Sequence, residues 1–185
     1  MKKFILLSLS IFVLLQAKAQ EKTNELDTIL PIRGLAIAAP DVAHLDLFLK
    51  FIEEELAPAH FNLLILRVDW NYAYESHPEL SDSNPLTRAE VKKIVAVCKQ
   101  NGIQIAPQVN LLGHQSWAKT THALLRSYPE FDETPHVKTE DYTDWPNPDG
   151  LYCKSYCPLH PGVHKVVFEV IDELMDAFET SILHA

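Results

Sequence analysis

Short apolar segments alternate with amphipathic helical patterns along most of this chain, and this alternation constrains the fold more than any other feature. The apolar segments at residues 33–39, 61–68 and 103–109 each have the length of a strand, and the second is apolar on both faces. Apolar residues at helical spacing lie between them, at residues 42–56 and 91–98. Strand, helix, strand, helix, strand is the pattern of βαβ units with a parallel sheet. We therefore predict an α/β fold.

The rest of the chain extends this pattern. Thr87 and Glu90 have the spacing of a helix capping box, and Gly102 is a typical helix stop. A further amphipathic helix is predicted at residues 163–178, and residues 181–185 have the pattern of a strand that is just beginning. A complete (β/α)8 TIM barrel needs about 250 residues. We therefore expect a partial barrel that contains about the first three to four β/α units.

The N-terminus has the composition of a secretory signal peptide. Lys2 and Lys3 precede an apolar run at residues 4–15, and Ala17-Lys18-Ala19 has the small-x-small pattern of a cleavage site. The run is shorter than the roughly 20 residues of a membrane span, so a membrane anchor is the less favoured alternative. We expect a secreted or periplasmic protein without a membrane span. We divide the chain into a signal peptide at residues 1–19, a tether at residues 20–31 and part of one domain at residues 32–185.

The charge balance is acidic and narrows the range of partners. The chain has 16 Lys and Arg residues against 25 Asp and Glu residues, a formal net charge of −9. Removal of the signal peptide takes away three lysines and no acid, which leaves 13 basic residues and a net charge of −12. This balance opposes nucleic-acid binding, which requires clustered Lys and Arg. No GxSxG, HExxH, GxGxxG or P-loop motif occurs, and we expect no cofactor.

Polar and aromatic residues follow the predicted strands at their C-terminal ends. These ends share one face of an α/β barrel, where ligands bind. Carboxylate, amide, imidazole and indole groups together suit a sugar, because hydroxyls need directional partners and the C–H face of a pyranose packs on an aromatic ring. Arg33, which opens the first strand, is a further candidate. Alternatively, Arg33 forms a structural ion pair and His114 is a hydrogen-bonded loop residue. The candidate binding residues are Arg33, Asp69, Trp70, Asn110, His114 and Trp117.

A long segment at residues 128–161 holds six of the twelve prolines and little periodicity. Its aromatic residues, which are Tyr142, Trp145, Tyr152 and Tyr156, favour an ordered functional loop. Cys153 and Cys157 are candidates for a local disulfide, as is common in exported proteins. Together with His160 and His164 they also loosely match the spacing of zinc ligands, and free thiols are the third alternative. We predict no metal site, and we predict that Cys98 is a buried core thiol.

Several short motifs, taken in order, resemble glycoside hydrolase family 20, whose members are β-N-acetylhexosaminidases with a (β/α)8 catalytic barrel. The resemblance extends from Arg33 to Ala185 and implies that residues 32–185 are the N-terminal part of that catalytic domain. It also implies that Arg33 binds hydroxyls of the terminal sugar and that His114 belongs to the polar network of the active site. The motifs are Arg33-Gly34-Leu35, Asn62, Leu86-Thr87-x2-Glu90, Gly102-Ile103, Gly113-His114 and Cys157-Pro158-x2-Pro161.

The chain also departs from the family pattern. Ala38 stands where the family usually has an Asp, and Ile65 and Arg67 stand where it has two histidines. The usual Pro-Glu-x-Asp-x-Pro-Gly-His is present as PQVNLLGH, so that Gln108 and Asn110 replace two acids. These differences indicate a divergent subgroup. Asp69 does not match the family's register and is a candidate only because of its position after a strand.

The resemblance implies that the catalytic residues lie outside this sequence. In the family an Asp-Glu pair follows the fourth strand; the Glu is the general acid, and the Asp orients a 2-acetamido group whose carbonyl attacks the anomeric carbon. That strand would begin near Ile182, so we expect the pair beyond Ala185 and no catalytic residue in this chain. We expect the full-length parent to be a secreted glycosidase that acts on terminal N-acetylhexosamine, and these 185 residues alone to be inactive and poorly stable.

Two other interpretations remain open. The first is a sugar-binding or structural barrel piece that does not catalyse, which the amides at Gln108 and Asn110 favour. The second is a metal-dependent hydrolase that uses the cysteines and histidines of residues 153–164. The partner expected in the main interpretation is a glycan.

Overall fold

The computed structural model of the chain describes residues 25–117, 119–139 and 151–185. The chain divides into two units, residues 1–32 and 33–185. In the first unit the described structure is a short helix, α1 (Glu25–Ile29). The predicted signal peptide, the aromatic residues Tyr142 and Trp145, and residues 20–24 of the predicted tether lie outside the described residues. None of the described helices has both the length and the apolar character to cross a bilayer.

The second unit is built on a parallel sheet of three strands, β1 (Gly34–Ala38), β2 (Leu63–Arg67) and β3 (Gln104–Gln108). The strands lie in the order β1-β2-β3 and pair in parallel in a continuous register, with Gly34 opposite Leu63 and Leu63 opposite Gln104. The α/β fold predicted from the alternating pattern is confirmed. The segment predicted to begin a fourth strand lies beside β3, because His184 forms a parallel bridge with Gln108.

Helices connect the strands. After β1 the chain forms a 3-10 turn (Val42–His44), α2 (Leu45–Phe51) and a π-helical turn (Ile52–Leu56). After β2 comes α3 (Arg88–Gln100), which begins with the predicted capping box: the Thr87 side chain accepts from the Glu90 N–H, and the Glu90 carboxylate accepts from the Thr87 N–H. Gly102 follows the end of the helix, and its φ of +67° favours glycine. The predicted stripe of apolar residues on α3 is buried; it consists of Val91, Ile94, Val95 and Cys98.

Three smaller elements and one long helix complete the unit. The two-residue strands β4 (Ser116–Trp117) and β5 (Thr120–Thr121) pair antiparallel, and α4 (Ala123–Ser127) follows them. Helix α4 begins only at Ala123, because Thr121 pairs in β5. The last helix, α5 (Val163–Ala177), buries its apolar face and packs against α3.

The loop after β2 is attached to α5. The Glu173 carboxylate accepts from the backbone N–H groups of Glu75 and Ser76 at 2.7 and 2.9 Å, and from the Ser76 hydroxyl. The buried His77 ring lies with its Nε2 2.9 Å from a Glu169 oxygen. These contacts join two segments about a hundred residues apart, and they fix the backbone that leaves the C-terminal end of β2.

Candidate functional site

Asp69 and Asn110 meet at the C-terminal edge of the sheet, one after β2 and the other after β3. The backbone N–H of Asn110 donates to Asp69 Oδ1 at 2.8 Å, and Asn110 Nδ2 donates to Asp69 Oδ2 at 3.2 Å. Because parallel strands end at the same edge, two positions 41 residues apart in the sequence become direct neighbours. One carboxylate thus bonds to both the backbone and the side chain of the same residue.

The surroundings of Asp69 hold it in an unusual backbone conformation. Its φ is +46°, which a residue other than glycine adopts at a cost in energy. The Tyr74 hydroxyl donates to the Asp69 carbonyl at 2.7 Å, and Arg67 Nε lies 3.6 Å from the Asp69 carboxylate. Burial and the adjacent Asp69 charge raise the pKa of Tyr74 well above its ordinary value, so the hydroxyl remains a donor. The strained turn therefore has several independent contacts that stabilise it.

The loop after Asn110 is ordered by one buried side chain. Gln115 Nε2 donates to the carbonyls of Asn110 and Gly113 at 2.8 and 3.1 Å, and the Gln115 side chain has 0% exposure. Leu112 and His114 both have positive φ, of 63° and 55°. The Gln115 bonds offset this strain by satisfying backbone carbonyls inside a tight turn.

His114 lies on this loop, and its backbone makes contacts on both sides. Its N–H donates to Cys153 Sγ at 3.2 Å, and its carbonyl accepts from His122 Nδ1 at 2.7 Å. The imidazole itself is exposed and packs at its edge against Tyr152, with ring centroids 5.6 Å apart. The structure therefore places His114 next to the segment at residues 151–157.

The two predicted tryptophans differ in exposure. Trp117 is 52% exposed and contacts Tyr152 edge-to-face, with centroids 5.9 Å apart. Trp70 is only 7% exposed and packs against Tyr74, so its indole has little surface for a ligand. Trp117 therefore offers a ring face at the site, whereas Trp70 contributes to the core beneath it.

Arg33 lies away from these residues. Its backbone N–H donates to Asn62 Oδ1 at 2.8 Å and its Nε donates to the His60 carbonyl at 2.6 Å, both at the N-terminal edge of the sheet. The five residues of β1, about 3.3 Å each, separate Arg33 from the edge that carries Asp69 and Asn110. The structure therefore brings Asp69, Asn110, His114 and Trp117 together and does not bring Arg33 to them.

The predicted disulfide is not formed, and Cys153 and Cys157 are free thiols. Cys153 Sγ accepts from the His114 N–H, whereas the Cys157 N–H donates to the Phe131 carbonyl at 2.7 Å. The two cysteines thus contact two different flanking segments.

The zinc alternative also lacks support. His160 packs against Phe131 and accepts from the Gly162 N–H, and His164 stacks on Phe168. Within the described ranges, no three His, Cys, Asp or Glu side chains lie close enough together to hold a metal ion. Cys98 is buried, as predicted, and burial raises the pKa of its thiol to about 12.

Sequence reasoning missed the side chains that attach residues 151–157 to the site. Lys154 is buried, and its ammonium donates to the Asp132 carboxylate and to the Thr134 carbonyl. The Lys154 N–H donates to Ser116 Oγ at 2.9 Å, and the Lys154 carbonyl accepts from the Gln115 N–H at 2.9 Å. A single lysine between two cysteines gives no local signal of such a role. Tyr152 was identified as a loop aromatic but not as part of the site.

The catalytic-domain profile of glycosyl hydrolase family 20 matches residues 67–185, which contain every element of the site described above. The chain belongs to this family. A curated relative, a β-hexosaminidase of Akkermansia muciniphila, is 34% identical over 98 residues, which are 53% of this chain and 18% of the relative.

Solved structures give the same result for the fold. The chitobiase of Flavobacterium johnsoniae superposes with a TM-score of 0.64 at 23% identity, over 83% of this chain and 23% of that one. A structure described as a β-N-acetylhexosaminidase superposes with a TM-score of 0.60 at 27% identity, over 83% of this chain and 35% of that one. The family 20 chain described here therefore corresponds to little more than a third of these relatives at most.

Proposed function

We propose that this chain is the first part of the catalytic barrel of a secreted β-N-acetylhexosaminidase-type glycoside hydrolase that acts on terminal N-acetylhexosamine. The observation that supports this most is the contact of Asp69 with Asn110 at the C-terminal edge of the parallel sheet. This edge is the face on which α/β barrels bind their ligands. The curated relative and the second solved structure are named for hexosaminidase activity, which agrees with the proposal.

In this proposal the chain binds the sugar, and residues on later strands react with it. Asp69, Asn110 and His114 would orient sugar hydroxyls, and Trp117 would contact the C–H face of a ring. Arg33 would reach a hydroxyl only if the first strand shifts relative to the structure. The catalytic Asp and Glu would follow the fourth strand, to which His184 belongs, so the 185 residues alone would not hydrolyse a glycoside.

The first test is to determine the reading frame beyond the codon for Ala185. A frame that continues into a His-x-Gly-x-Asp-Glu motif and further β/α units supports the proposal. The full-length protein should then hydrolyse an aryl N-acetyl-β-glucosaminide and leave the matched aryl β-glucoside, which lacks the acetamido group, nearly intact. A stop codon directly after Ala185, or equal hydrolysis of the two substrates, would contradict it.

A second candidate is a family 20 protein that binds sugars without hydrolysing them. The amide of Asn110 favours it: Nδ2 donates to Asp69, which a carboxylate at this position could not do. One carboxylate and one amide therefore lie together next to the ligand edge. Sugar binding by the full-length protein with no turnover of either aryl glycoside would select this candidate.

A further inference from the structure

His77 is a buried histidine at the point where three segments of the chain meet. It lies in the loop after β2, and its ring contacts Tyr128 at the end of α4 and Glu169 on α5. Nδ1 lies 3.0 Å from the Tyr128 hydroxyl and 3.1 Å from an oxygen of Glu79, and Nε2 lies 2.9 Å from an oxygen of Glu169. The residue is only 8% exposed, so protein groups surround most of the ring.

The Tyr128 hydroxyl donates its proton to Glu79 and has none left for His77. The Tyr128 hydroxyl and the Glu79 carboxylate are hydrogen-bonded. Burial and this hydrogen bond raise the pKa of Tyr128 to about 12, so the hydroxyl keeps its proton. The same bond, with smaller contributions from its own backbone and from His77, holds the pKa of Glu79 below its ordinary value. A hydroxyl has one proton to donate, so both neighbours of Nδ1 are acceptors.

Both ring nitrogens of His77 therefore face hydrogen-bond acceptors, since Nε2 faces the Glu169 carboxylate. A neutral imidazole carries one N–H and one lone pair, so it would direct a lone pair at an acceptor oxygen on one side. An imidazolium carries both protons and donates from Nδ1 and from Nε2. Such charge-assisted hydrogen bonds are roughly twice as strong as neutral ones. The partners thus favour an imidazolium that bridges Glu79 and Glu169, which we name the His77 bridge.

Further charged groups around the bridge come from the same elements. In the described part of the chain, Lys165 lies 4.0 Å from the outer oxygen of Glu169 on α5. Glu130, in the turn after α4, adds negative charge near Tyr128. With the carboxylates of Glu79 and Glu169, the ring lies in a region of net negative charge.

The loop that contains His77 also supports the candidate site. Glu173, one turn further along α5 from the carboxylate that faces Nε2, binds the backbone N–H groups of residues 75 and 76. Tyr74 lies just before these residues, and its hydroxyl donates to the Asp69 carbonyl at 2.7 Å. Two adjacent anchors on α5 thus hold the loop that supports the strained turn at Asp69.

We propose that His77 is a positioning residue whose imidazolium form holds the loop after β2 against α5, and that loss of one proton loosens this loop and the turn at Asp69. When Nδ1 loses its proton, the Tyr128 hydroxyl turns from Glu79 to Nδ1, which removes two hydrogen bonds from Glu79. Histidine side chains as a class exchange this proton between about pH 5 and pH 8. The bridge is therefore complete in acid and is lost as the pH rises. The inference goes beyond the proposed function and does not rest on it, because the bridge needs no ligand.

Hydrogen exchange of single residues, followed by NMR on the full chain at about pH 5.5 and pH 8, tests the bridge. The reporters are the backbone N–H groups of Ser76, which donates to Glu173, and of Asn110, which donates to Asp69. Val95, buried on α3, is the internal reference. After correction for intrinsic exchange, the protection of Ser76 relative to Val95 should be about tenfold lower at the higher pH, since a charge-assisted hydrogen bond is lost. The protection of Asn110 should change in the same direction.

His77→Gln removes the charge and keeps a hydrogen-bonding side chain. Its protection at Ser76 should be low at both pH values, at the level of the parent at the higher pH. His164→Gln is the matched control, because His164 is an exposed histidine on α5, and it should retain the pH dependence of the parent. The nitrogen NMR spectrum of the His77 ring in the parent should show protons on both nitrogens at the lower pH. This spectrum decides the charge state even if His77→Gln does not fold.

Three results would overturn the proposal. They are a Ser76 protection, relative to Val95, that is equal at both pH values; a His77 ring with only one protonated nitrogen at the lower pH; and equal loss of the pH dependence in His77→Gln and His164→Gln. Loosening at Ser76 without any change at Asn110 would overturn the effect on the turn at Asp69. None of these measurements involves a sugar, so failure of the bridge and failure of the proposed function are observed separately.

Discussion

Asn110 shows how one amide determines the chemistry of the site at the scale of a single residue. Its Nδ2 lies 3.2 Å from Asp69 Oδ2, a distance at which two carboxylates repel each other. The acid that the family pattern has at this position would therefore conflict with Asp69 in this chain. Asp69 and Asn110 are therefore compatible with each other, which is not evident from either residue alone.

Asn110→Asp tests this pair. We expect it to destabilise the fold by about 2–3 kcal/mol at pH 7, because a hydrogen bond is lost and two charges face each other. The repulsion requires both carboxylates to be ionised, so the penalty is present at neutral pH and is relieved in acid when one carboxylate is protonated. The free energy of unfolding in urea, measured at pH 7 and pH 4.5 for the parent and the variant, gives this penalty.

Gln108→Glu is the control for that experiment, since it replaces the other amide of the same motif. Gln108 lies opposite Arg67 in the register of the sheet, so a carboxylate there gains a neighbouring cation. Its stability should differ from the parent's by less than about 1 kcal/mol. An equal loss in both variants, or a loss in Asn110→Asp that does not change with pH, would argue against the pair.

The three cysteines give a second prediction at this scale. A disulfide reagent such as DTNB should titrate two thiols rapidly in the native protein at pH 8, those of Cys153 and Cys157. Cys98 should react only after unfolding, because it is buried and its pKa is about 12, so very little thiolate exists at that pH. Cys98→Ser should leave the rapid count at two. A native count below two would indicate that Cys153 and Cys157 are paired after all.

At the scale of elements, the segment at residues 151–157 is held by an ion pair that the sequence did not reveal. Lys154 and Asp132 are both largely buried, and the Lys154 ammonium also donates to Thr134 O at 2.9 Å. Removing one member of a buried pair leaves the other charge without a partner in a poorly solvated place. The segment carries Tyr152 and Cys153, so the pair also positions one side of the candidate site.

Lys154→Met should therefore destabilise the fold by about 3–5 kcal/mol. The double variant Lys154→Met with Asp132→Asn should recover part of that loss, because no buried charge then remains unpaired. Lys99→Met is the matched control, since Lys99 on α3 forms an exposed pair with Glu179, just after α5. It should cost less than about 1 kcal/mol. Thermal and urea unfolding of the parent and the three variants measure these changes in stability. Equal losses of stability in Lys154→Met and Lys99→Met would contradict the role of the buried pair.

At the scale of the whole molecule, local pattern and tertiary contact explain which features the sequence could predict. Apolar patterns predicted the three strands, α3 and α5, and β2, α3 and α5 bury apolar residues in the structure. The positive φ angles of Asp69, Leu112 and His114 gave no such signal, since glycine is the usual residue there. Asp69 and His114 are held by bonds to Asn110 and Cys153, which lie 41 and 39 residues away, so no local pattern encodes these contacts. The Gln115 side chain holds the loop at Leu112 through bonds within the same loop.

The edge of the sheet at β1 leads to the last prediction. Within the described residues no strand pairs with the outer side of β1, and most of its side chains are exposed. Between β1 and α2 lies an apolar groove of about 460 Å³ lined by Ile37, Leu47, Phe48 and Phe51. An open strand edge next to an apolar groove promotes pairing between chains.

We therefore expect the 185-residue chain to self-associate reversibly, with the association growing at higher protein concentration. Leu47→Lys places a charge in the groove on a side chain that is already exposed, so it should shift the chain toward the monomer without loss of helical signal. Leu159→Lys adds the same charge at an exposed leucine outside the groove and should not change the association. Sedimentation velocity over a range of concentrations measures all three proteins. A parent chain that stays monomeric throughout, or two variants that behave alike, would show that the groove at β1 does not drive contacts between chains.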